Sequence, residues 1–111
     1  KKYDAVVVLK GNKTMIATPG GKLMVNLTGN AGMATCGMGD VLAGIIGGLL
    51  GQGLDPSSAA ALGVYFHGLA GDWAAAEKSQ MGLNAGDILE YLPKVLRDYE
   101  AKLKEVATDV L

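Results

Sequence analysis

The sequence is poor in cysteine, histidine, proline and aromatic residues. Its 111 residues include one cysteine, one histidine and three prolines, and aromatic residues make up 5%. A single cysteine excludes an internal disulfide framework and is typical of a reducing compartment. A single histidine excludes a metal site built from several histidines. We therefore expect a protein of the cytoplasm that holds no metal centre of its own.

The sequence also lacks an excess of charge and a long hydrophobic run. Its net charge is −1, so nothing in it would neutralise a phosphate backbone, and a nucleic-acid partner is not expected. The longest apolar stretch, residues 41–51, is far shorter than the roughly 20 residues of a membrane-spanning helix. We expect no signal peptide, because the two opening lysines precede only a short apolar run. Small molecules are the expected partners, without nucleic acid or membrane.

Glycine, in contrast, is abundant. There are 17 glycines, more than double the usual share of about 7%. They have no collagen period and cluster between Gly29 and Gly53 among hydrophobic residues. Glycines placed in this way indicate tight turns, close helix packing or a backbone that approaches a ligand.

The first quarter of the chain predicts strands. Residues 3–9 form a nearly continuous apolar, β-branched run, which is typical of a strand buried on both faces in a parallel sheet. Residues 14–18 and 22–27 flank a Pro-Gly-Gly segment, which predicts a β-hairpin. A glycine-rich loop over residues 28–39 follows.

The rest of the chain predicts helices. The first begins at Asp40, ends near Gln52 and, being apolar on all sides, should be buried. Asp55 followed by Pro56 predicts the start of a second helix that runs to about Lys78. Two faces are expected on it: an apolar one, and one of small residues that allows close approach. The apolar face consists of Leu62, Phe66, Leu69 and Trp73. The small-residue face consists of Gly63, His67 and Gly71.

A last helix is expected after residues 84–87, which read as a loop with an N-cap. Pro93 should interrupt or restart this helix near Leu92. Beyond it, an apolar seam repeats at spacings of three and four. Its members are Leu96, Tyr99, Leu103, Val106 and Val110.

These elements predict an α/β fold with too few strands. A strand buried on both faces needs parallel neighbours, and these need crossover connections that the sequence after Leu9 does not supply. We therefore predict that residues 1–111 form the C-terminal part of a single domain. By itself the chain should not be a catalytically competent monomer. It should self-associate, as in a homo-oligomer, or be completed by a second polypeptide.

The most informative segment is the end of the glycine loop. Gly37, Met38, Gly39 and Asp40 give the pattern G-x-G-D at a helix N-terminus, where free N–H groups and the helix dipole form a site for phosphate. An aspartate there would repel a phosphate, so Asp40 is better suited to act as a base for a hydroxyl that meets the phosphoryl group. The alternative is that Asp40 is only an N-cap. The pattern is neither a Walker A loop nor a Rossmann fingerprint.

Four other polar residues have alternative interpretations. His67 can be a packing residue or a catalytic one, and Asp72 a solvated or locally paired carboxylate. Lys10 can bind phosphate or serve solubility at a strand end. Cys36 can be a reactive thiol or a small buried filler.

Four segments resemble the ADP/ATP-dependent NAD(P)H-hydrate dehydratases, in the order that the family has them. Residues 7–14 (VVLKGNKT) are similar to the family's V-V-L-K-G-x-x-T, and residues 28–35 (TGNAGMAT) to T-G-N-P-G-M-A-T. Residues 37–42 (GMGDVL) resemble G-[ST]-G-D-V-L, and residues 63–72 (GVYFHGLAGD) resemble G-V-Y-L-H-G-L-A-G-D.

The resemblance implies a ribokinase-like three-layer fold and a lyase that repairs nucleotides. The reaction would restore NADH or NADPH from (S)-NAD(P)H hydrate, with ADP or ATP phosphorylating the hydroxyl before phosphate leaves, and with Mg²⁺ accompanying the nucleotide. It implies that the residues after the first strand bind the adenine nucleotide, that Gly39 lines its phosphate site, and that Asp40 contacts the hydrated cofactor as the catalytic base. The implied nucleotide-binding residues of that first group are Lys10, Gly11, Asn12, Lys13 and Thr14.

Three positions depart from the family pattern. Ala31 replaces a proline, Cys36 a glycine, and Met38 a serine or threonine. If Cys36 must adopt a positive φ, the strain would cost about 1 kcal/mol. Met38 lacks a hydroxyl that could bind phosphate.

Two other functions compete with the dehydratase. A ribokinase-like kinase for a vitamin precursor would share G-x-G-D and its aspartate base. A non-catalytic fragment that folds by self-association would share the shortage of strands. Residues 28–35 and 67–72 favour the dehydratase.

Overall fold

The computed structural model describes residues 5–10 and 14–110, the last four of these by their backbone alone. Three strands come first and three helices follow, which is the predicted order. The elements are β1 (Val7–Leu9), β2 (Met15–Ala17), β3 (Leu23–Val25), a 3₁₀ turn (Ala31–Met33), α1 (Met38–Gly51), α2 (Pro56–Lys78) and α3 (Ala85–Val110).

The predicted hairpin is confirmed. β2 and β3 pair antiparallel, with Met15 opposite Val25. The turn is closed by a 3.0 Å hydrogen bond from the Gly21 N–H to the Thr18 carbonyl, and Gly21 has φ 89°, a conformation that suits glycine. The hairpin carries Thr14 to the edge of the cleft described below.

The expectation for β1 is wrong in its pairing and its burial. β1 pairs with β2 in antiparallel fashion, and its Val7 and Leu9 side chains are 41% and 53% exposed. Only alternate side chains face the core, where Val8 packs against a cluster that contains Ile16 and Leu42. Helices cover one face of the sheet, and the opposite apolar face is exposed within the part of the chain that the structure describes. Residues 3 and 4 of the predicted strand lie outside the described residues.

Helix α1 begins two residues earlier than predicted and is not buried on all sides. Gly37 is its N-cap, with φ 87°, and only Met38 and Leu42 are buried. One face packs on α2, where a Cβ on Gly63 would lie 2.5 Å from Ile46 Cγ1. The small-residue face of α2 therefore permits the predicted close approach. On another side, α1 borders an apolar groove that it shares with α3.

Helix α2 has the predicted cap and carries most of the core. The Asp55 carboxylate accepts a hydrogen bond of 3.2 Å from the Ser58 N–H. Of the predicted apolar face, Phe66 is buried, while the other three side chains are partly buried against the same cluster. Phe66 meets Tyr99 of α3 edge to face, with ring centroids 5.0 Å apart.

Helix α3 is continuous through Pro93, so the predicted interruption is wrong. The carbonyl that Pro93 leaves without a helical donor belongs to Leu89, and both residues are exposed, so water can solvate it. The helix begins at Ala85, inside the loop predicted over residues 84–87. Asn84 and Asp87 form a reciprocal cap: the Asp87 N–H donates to Asn84 Oδ1 at 3.2 Å, and the Asn84 N–H donates to Asp87 Oδ2 at 2.9 Å. In the seam beyond Pro93, Leu103 and Val106 are exposed.

None of the helices in residues 5–10 and 14–110 is long and apolar enough to cross a membrane.

Candidate functional site

A cleft of about 1010 Å³ lies where the sheet, the glycine loop, the start of α1 and the middle of α2 meet. The glycine loop supplies most of its wall. The polar or glycine residues that line it include Lys10, Thr14, Asn26, Thr28, Gly29, Asn30, Thr35, Gly39, His67 and Gly68. This is enough room for a nucleotide-sized ligand.

The start of α1 gives the cleft an anion-binding wall. Gly37 is left-handed and turns the chain into the helix, whose first intrahelical bond runs from the Val41 N–H to the Gly37 carbonyl at 3.1 Å. The Met38 N–H donates to the Thr35 carbonyl at 3.3 Å, whereas those of Gly39 and Asp40 have no acceptor within the helix, and the helix dipole adds positive potential there. Of the predicted phosphate loop, Met38 and Gly39 line the cleft and Gly37 is the N-cap of α1, and phosphate binding at this loop stays a prediction.

Lys10 adds a positive charge to this wall. Its Nζ lies 2.8 Å from the position that a Cβ on Gly39 would occupy, and its side chain is exposed to the cleft. Of the predicted nucleotide-binding residues, the structure brings Lys10, Thr14 and Gly39 to one cleft. Gly11, Asn12 and Lys13 lie outside the described residues.

Asp40 does not act as the N-cap, so that alternative is wrong. It lies in the first turn of α1 and is exposed. It lines a second cavity, an apolar groove of about 530 Å³ between α1 and α3, whereas its neighbour Gly39 lines the cleft. The first turn of α1 thus separates two cavities and presents a backbone anion site to one and a carboxylate to the other.

His67 lines the cleft from α2. Burial lowers the pKa of His67, the nearby Lys10 charge lowers it further, and a hydrogen bond with the Met38 backbone raises it less than burial lowers it. Its Nε2 atom is buried and has no partner among the described residues. His67 therefore lies in the cleft wall with its Nε2 atom covered by protein.

This burial predicts a pH-dependent stability. A histidine whose pKa is lowered in the folded state favours folding when neutral, so the free energy of unfolding should fall as pH drops below the ordinary value of 6.5. Urea unfolding between pH 7.5 and about 5.5 checks this slope. His67 is the one histidine of the sequence, so His67→Gln should remove the histidine part of the slope. An equal slope in the variant would contradict the assignment.

The glycine loop is held to α2 by a carboxylate that sequence reasoning did not assign. Asp72 accepts hydrogen bonds of 2.9 Å from the Gly29 N–H and from Asn30 Nδ2. The sequence left Asp72 as a solvated or locally paired carboxylate, but its partners lie more than 40 residues away. The spacing of Gly68, Gly71 and Asp72 on one helical face was the available signal.

The three departures from the family pattern have different structural consequences. The positive φ falls on Gly37 and not on Cys36, so the backbone strain considered for Cys36 does not arise. Cys36 is an exposed free thiol, so its interpretation as a buried filler is wrong. Met38 is a core residue packed with Phe66, and its backbone N–H donates to the Thr35 carbonyl at 3.3 Å, so neither its side chain nor its N–H is free for a phosphate. Ala31 is the first residue of the 3₁₀ turn, a position that favours proline.

No group of three or more His, Cys, Asp or Glu side chains that could hold a metal ion occurs among the residues that the structure describes.

The chain matches the family model described as NAD(P)H-hydrate dehydratase over residues 1–94. It is 54% identical over 106 residues to a bifunctional NAD(P)H-hydrate repair enzyme of Moorella thermoacetica, an alignment that covers 96% of this chain and 20% of that enzyme. The chain thus spans about a fifth of the length of that relative.

Two solved structures resemble this one. The ADP/ATP-dependent NAD(P)H-hydrate dehydratase of Bacillus subtilis, co-crystallised with ATP and Mg²⁺, superposes with a TM-score of 0.81 at 40% identity, covering 85% of this chain and 34% of that one. A ribokinase-like superfamily protein of Enterococcus faecalis superposes with a TM-score of 0.73 at 37% identity, covering 88% of this chain and 34% of that one. The predicted ribokinase-like fold is confirmed.

Proposed function

Because this chain belongs to the NAD(P)H-hydrate dehydratase family, we propose that it supplies the nucleotide-phosphate site and the catalytic base for ADP- or ATP-dependent dehydration of (S)-NAD(P)H hydrate. The observation that carries the proposal is the first turn of α1, where Gly39 lines the cleft and Asp40 lines the neighbouring groove. A terminal phosphoryl group held at the helix N-terminus would lie next to a carboxylate that can take a proton.

In this proposal the nucleotide occupies the cleft. The first-turn N–H groups and the Lys10 ammonium would bind its phosphates, and Thr14 would contact it from the hairpin. Gly11, Asn12 and Lys13, which lie outside the described residues, would also bind the nucleotide, as the resemblance to the family implies. Mg²⁺ would accompany the nucleotide, since phosphate oxygens are its usual ligands and the described residues offer no acidic cage.

Asp40 would act on the hydrated cofactor. Its carboxylate would accept the proton of the hydroxyl on the hydrated nicotinamide ring as that oxygen attacks the terminal phosphorus. The oxygen–phosphorus bond forms as the bond to the nucleotide's leaving oxygen breaks. Elimination then releases inorganic phosphate with the former hydroxyl oxygen, and the ring loses a proton to regain its double bond. The sum is NAD(P)H, phosphate and a nucleotide shortened by one phosphate.

We also propose that residues 1–111 act as the C-terminal part of one ribokinase-like domain in a cytoplasmic homo-oligomer. The open sheet face supports the need for a further layer, because Val7, Leu9, Leu23 and Val25 are all more than 40% exposed on it. An apolar face of this kind is normally covered by protein. Sedimentation of the full-length protein, with dehydratase activity measured across the peak, tests the assembly.

The experiment that tests the function follows the recovery of NADH absorbance from hydrated NADH, with ADP and ATP added separately. We expect recovery that requires a nucleotide, with release of one phosphate per NADH formed. Transfer of phosphate to a vitamin precursor, without recovery of NADH, would instead support the competing kinase function.

A further inference from the structure

We propose that Asp72 is a positioning residue for nucleotide binding: its carboxylate holds the loop of residues 28–36 against α2 in the conformation that forms the cleft wall. Asp72 does not itself line the cleft, whereas eight of the nine loop residues do. It acts through the loop. The inference rests on the proposed function only in naming an adenine nucleotide as the ligand.

The loop follows one face of α2, turn by turn. The Thr28 hydroxyl lies 3.1 Å from the Tyr65 carbonyl oxygen, and a Cβ on Gly68 would lie 2.7 Å from the Thr28 carbonyl carbon. Further along the same face, the Asp72 carboxylate accepts hydrogen bonds from the Gly29 N–H and from Asn30 Nδ2. These helical residues are spaced by three and four, which places them on one face. The face is therefore shaped to receive the loop.

Methionine 33 extends the same contact. A Cβ on Gly71 would meet the Met33 sulfur and would lie 2.6 Å from its Cε. Gly68 and Gly71 thus supply the space for the loop, while Asp72 supplies the polar attachment. The acceptor is a carboxylate, and hydrogen bonds to an ionised acceptor are stronger than neutral ones.

The donors that face Asp72 are fixed in orientation. Asn30 Oδ1 accepts a 3.0 Å hydrogen bond from the Gly32 N–H and caps the 3₁₀ turn, so Asn30 Nδ2 must point to Asp72. The Gly29 N–H is a donor by nature, and Gly29 has φ 106°, which suits glycine. Position 72 therefore faces two donors and needs two acceptor oxygens. Asparagine has only one acceptor oxygen. In either orientation of its amide, Asp72→Asn therefore places its own NH₂ group against one of the two donors, the Gly29 N–H or Asn30 Nδ2.

Exchanging the side chains of residues 30 and 72 should restore a donor for every acceptor in this group of hydrogen bonds. In Asp72→Asn combined with Asn30→Asp, the new carboxylate at position 30 can accept from the Gly32 N–H with one oxygen and from the asparagine amide at position 72 with the other. The asparagine oxygen can still accept from the Gly29 N–H. Asn30→Asp alone instead places two carboxylates against each other.

The test measures ADP affinity by calorimetry and amide hydrogen exchange of residues 28–36 by mass spectrometry in the full-length protein. We expect Asp72→Asn and Asn30→Asp each to weaken ADP binding by about tenfold and to speed exchange of the loop, and the double variant to recover both to near the wild-type values. Glu77→Gln is the control, because Glu77 is an exposed carboxylate on the same helix and its loss changes the net charge equally. It should change neither measurement.

Three results would overturn the proposal: wild-type exchange in Asp72→Asn, faster exchange with unchanged ADP affinity, or a folded double variant as impaired as the single ones. If Asp72→Asn does not fold, Asn30→Asp and the double variant still make the comparison. A wild-type protein that does not bind ADP would contradict the proposed function and the nucleotide as ligand. The exchange measurements would then decide separately whether Asp72 holds the loop.

Discussion

Asp40→Asn should lower the rate of dehydration by about 10²–10⁴-fold, the usual contribution of a single general base. The amide keeps the size and place of the side chain in the first turn of α1 but cannot accept a proton from the substrate hydroxyl. ADP affinity should remain the same or become tighter, because a negative charge beside the phosphate site is removed. Single-turnover kinetics with saturating nucleotide, together with calorimetry, separate the two effects.

Asp98→Asn is the matched control for this prediction. Asp98 makes an exposed pair with Lys102 on α3, with 3.1 Å between Lys102 Nζ and Asp98 Oδ2, and such i,i+4 surface pairs contribute little. Its turnover should equal that of the wild type. Unchanged turnover in Asp40→Asn would remove Asp40 from the mechanism and leave the first turn of α1 as a binding element only.

Gly68→Ala should destabilise the protein by about 1–3 kcal/mol and weaken nucleotide binding. A Cβ at this position would meet the Thr28 hydroxyl and would lie 2.9 Å from the Gly29 backbone nitrogen. Backbone atoms of the loop cannot move aside as a flexible side chain can, so the added methyl must push the loop away from α2. Denaturant unfolding and ADP calorimetry check the two effects.

Gly47→Ala is the comparison that isolates the clash from helix propensity. Gly47 lies inside α1 with open space around the position of its Cβ. Alanine there should stabilise the helix by about 0.5–1 kcal/mol, because glycine loses more backbone entropy on folding. Opposite signs for the two substitutions are the expected result. A stabilising Gly68→Ala would show that the loop does not pack on α2 as described.

Local signals in the sequence determined most of the secondary structure. The Pro-Gly-Gly turn between two apolar runs was enough for the hairpin, and Asp55 before Pro56 was enough for the start of α2. Two features of the helices were predicted wrongly. Helix α1 starts at Met38 because Gly37 takes the left-handed conformation. Pro93 stays within α3 because solvent is available to the carbonyl that it frees.

Burial could not be read from composition in the same way. The apolar content of residues 3–9 and of α1 predicted burial on all sides, but it did not say which side the rest of this chain covers. In the structure one side of each element is covered, and Val7, Leu9 and Leu50 remain exposed. Hydropathy reports the cost of contact with water, whereas the available neighbours depend on how the elements pack.

The candidate site also combines features that the sequence predicts with features that only the tertiary structure shows. The sequence by itself determined that glycines and an aspartate lie together at a helix N-terminus, and from these neighbouring residues it predicted an anion site beside a carboxylate. Only the tertiary structure placed Gly39 and Asp40 on different cavities and brought Lys10 over the helix. It alone showed that Asp72 binds the glycine loop across more than 40 residues of sequence. Hydrogen bonds of that range depend on the packing of the loop on α2, and no local pattern specifies them.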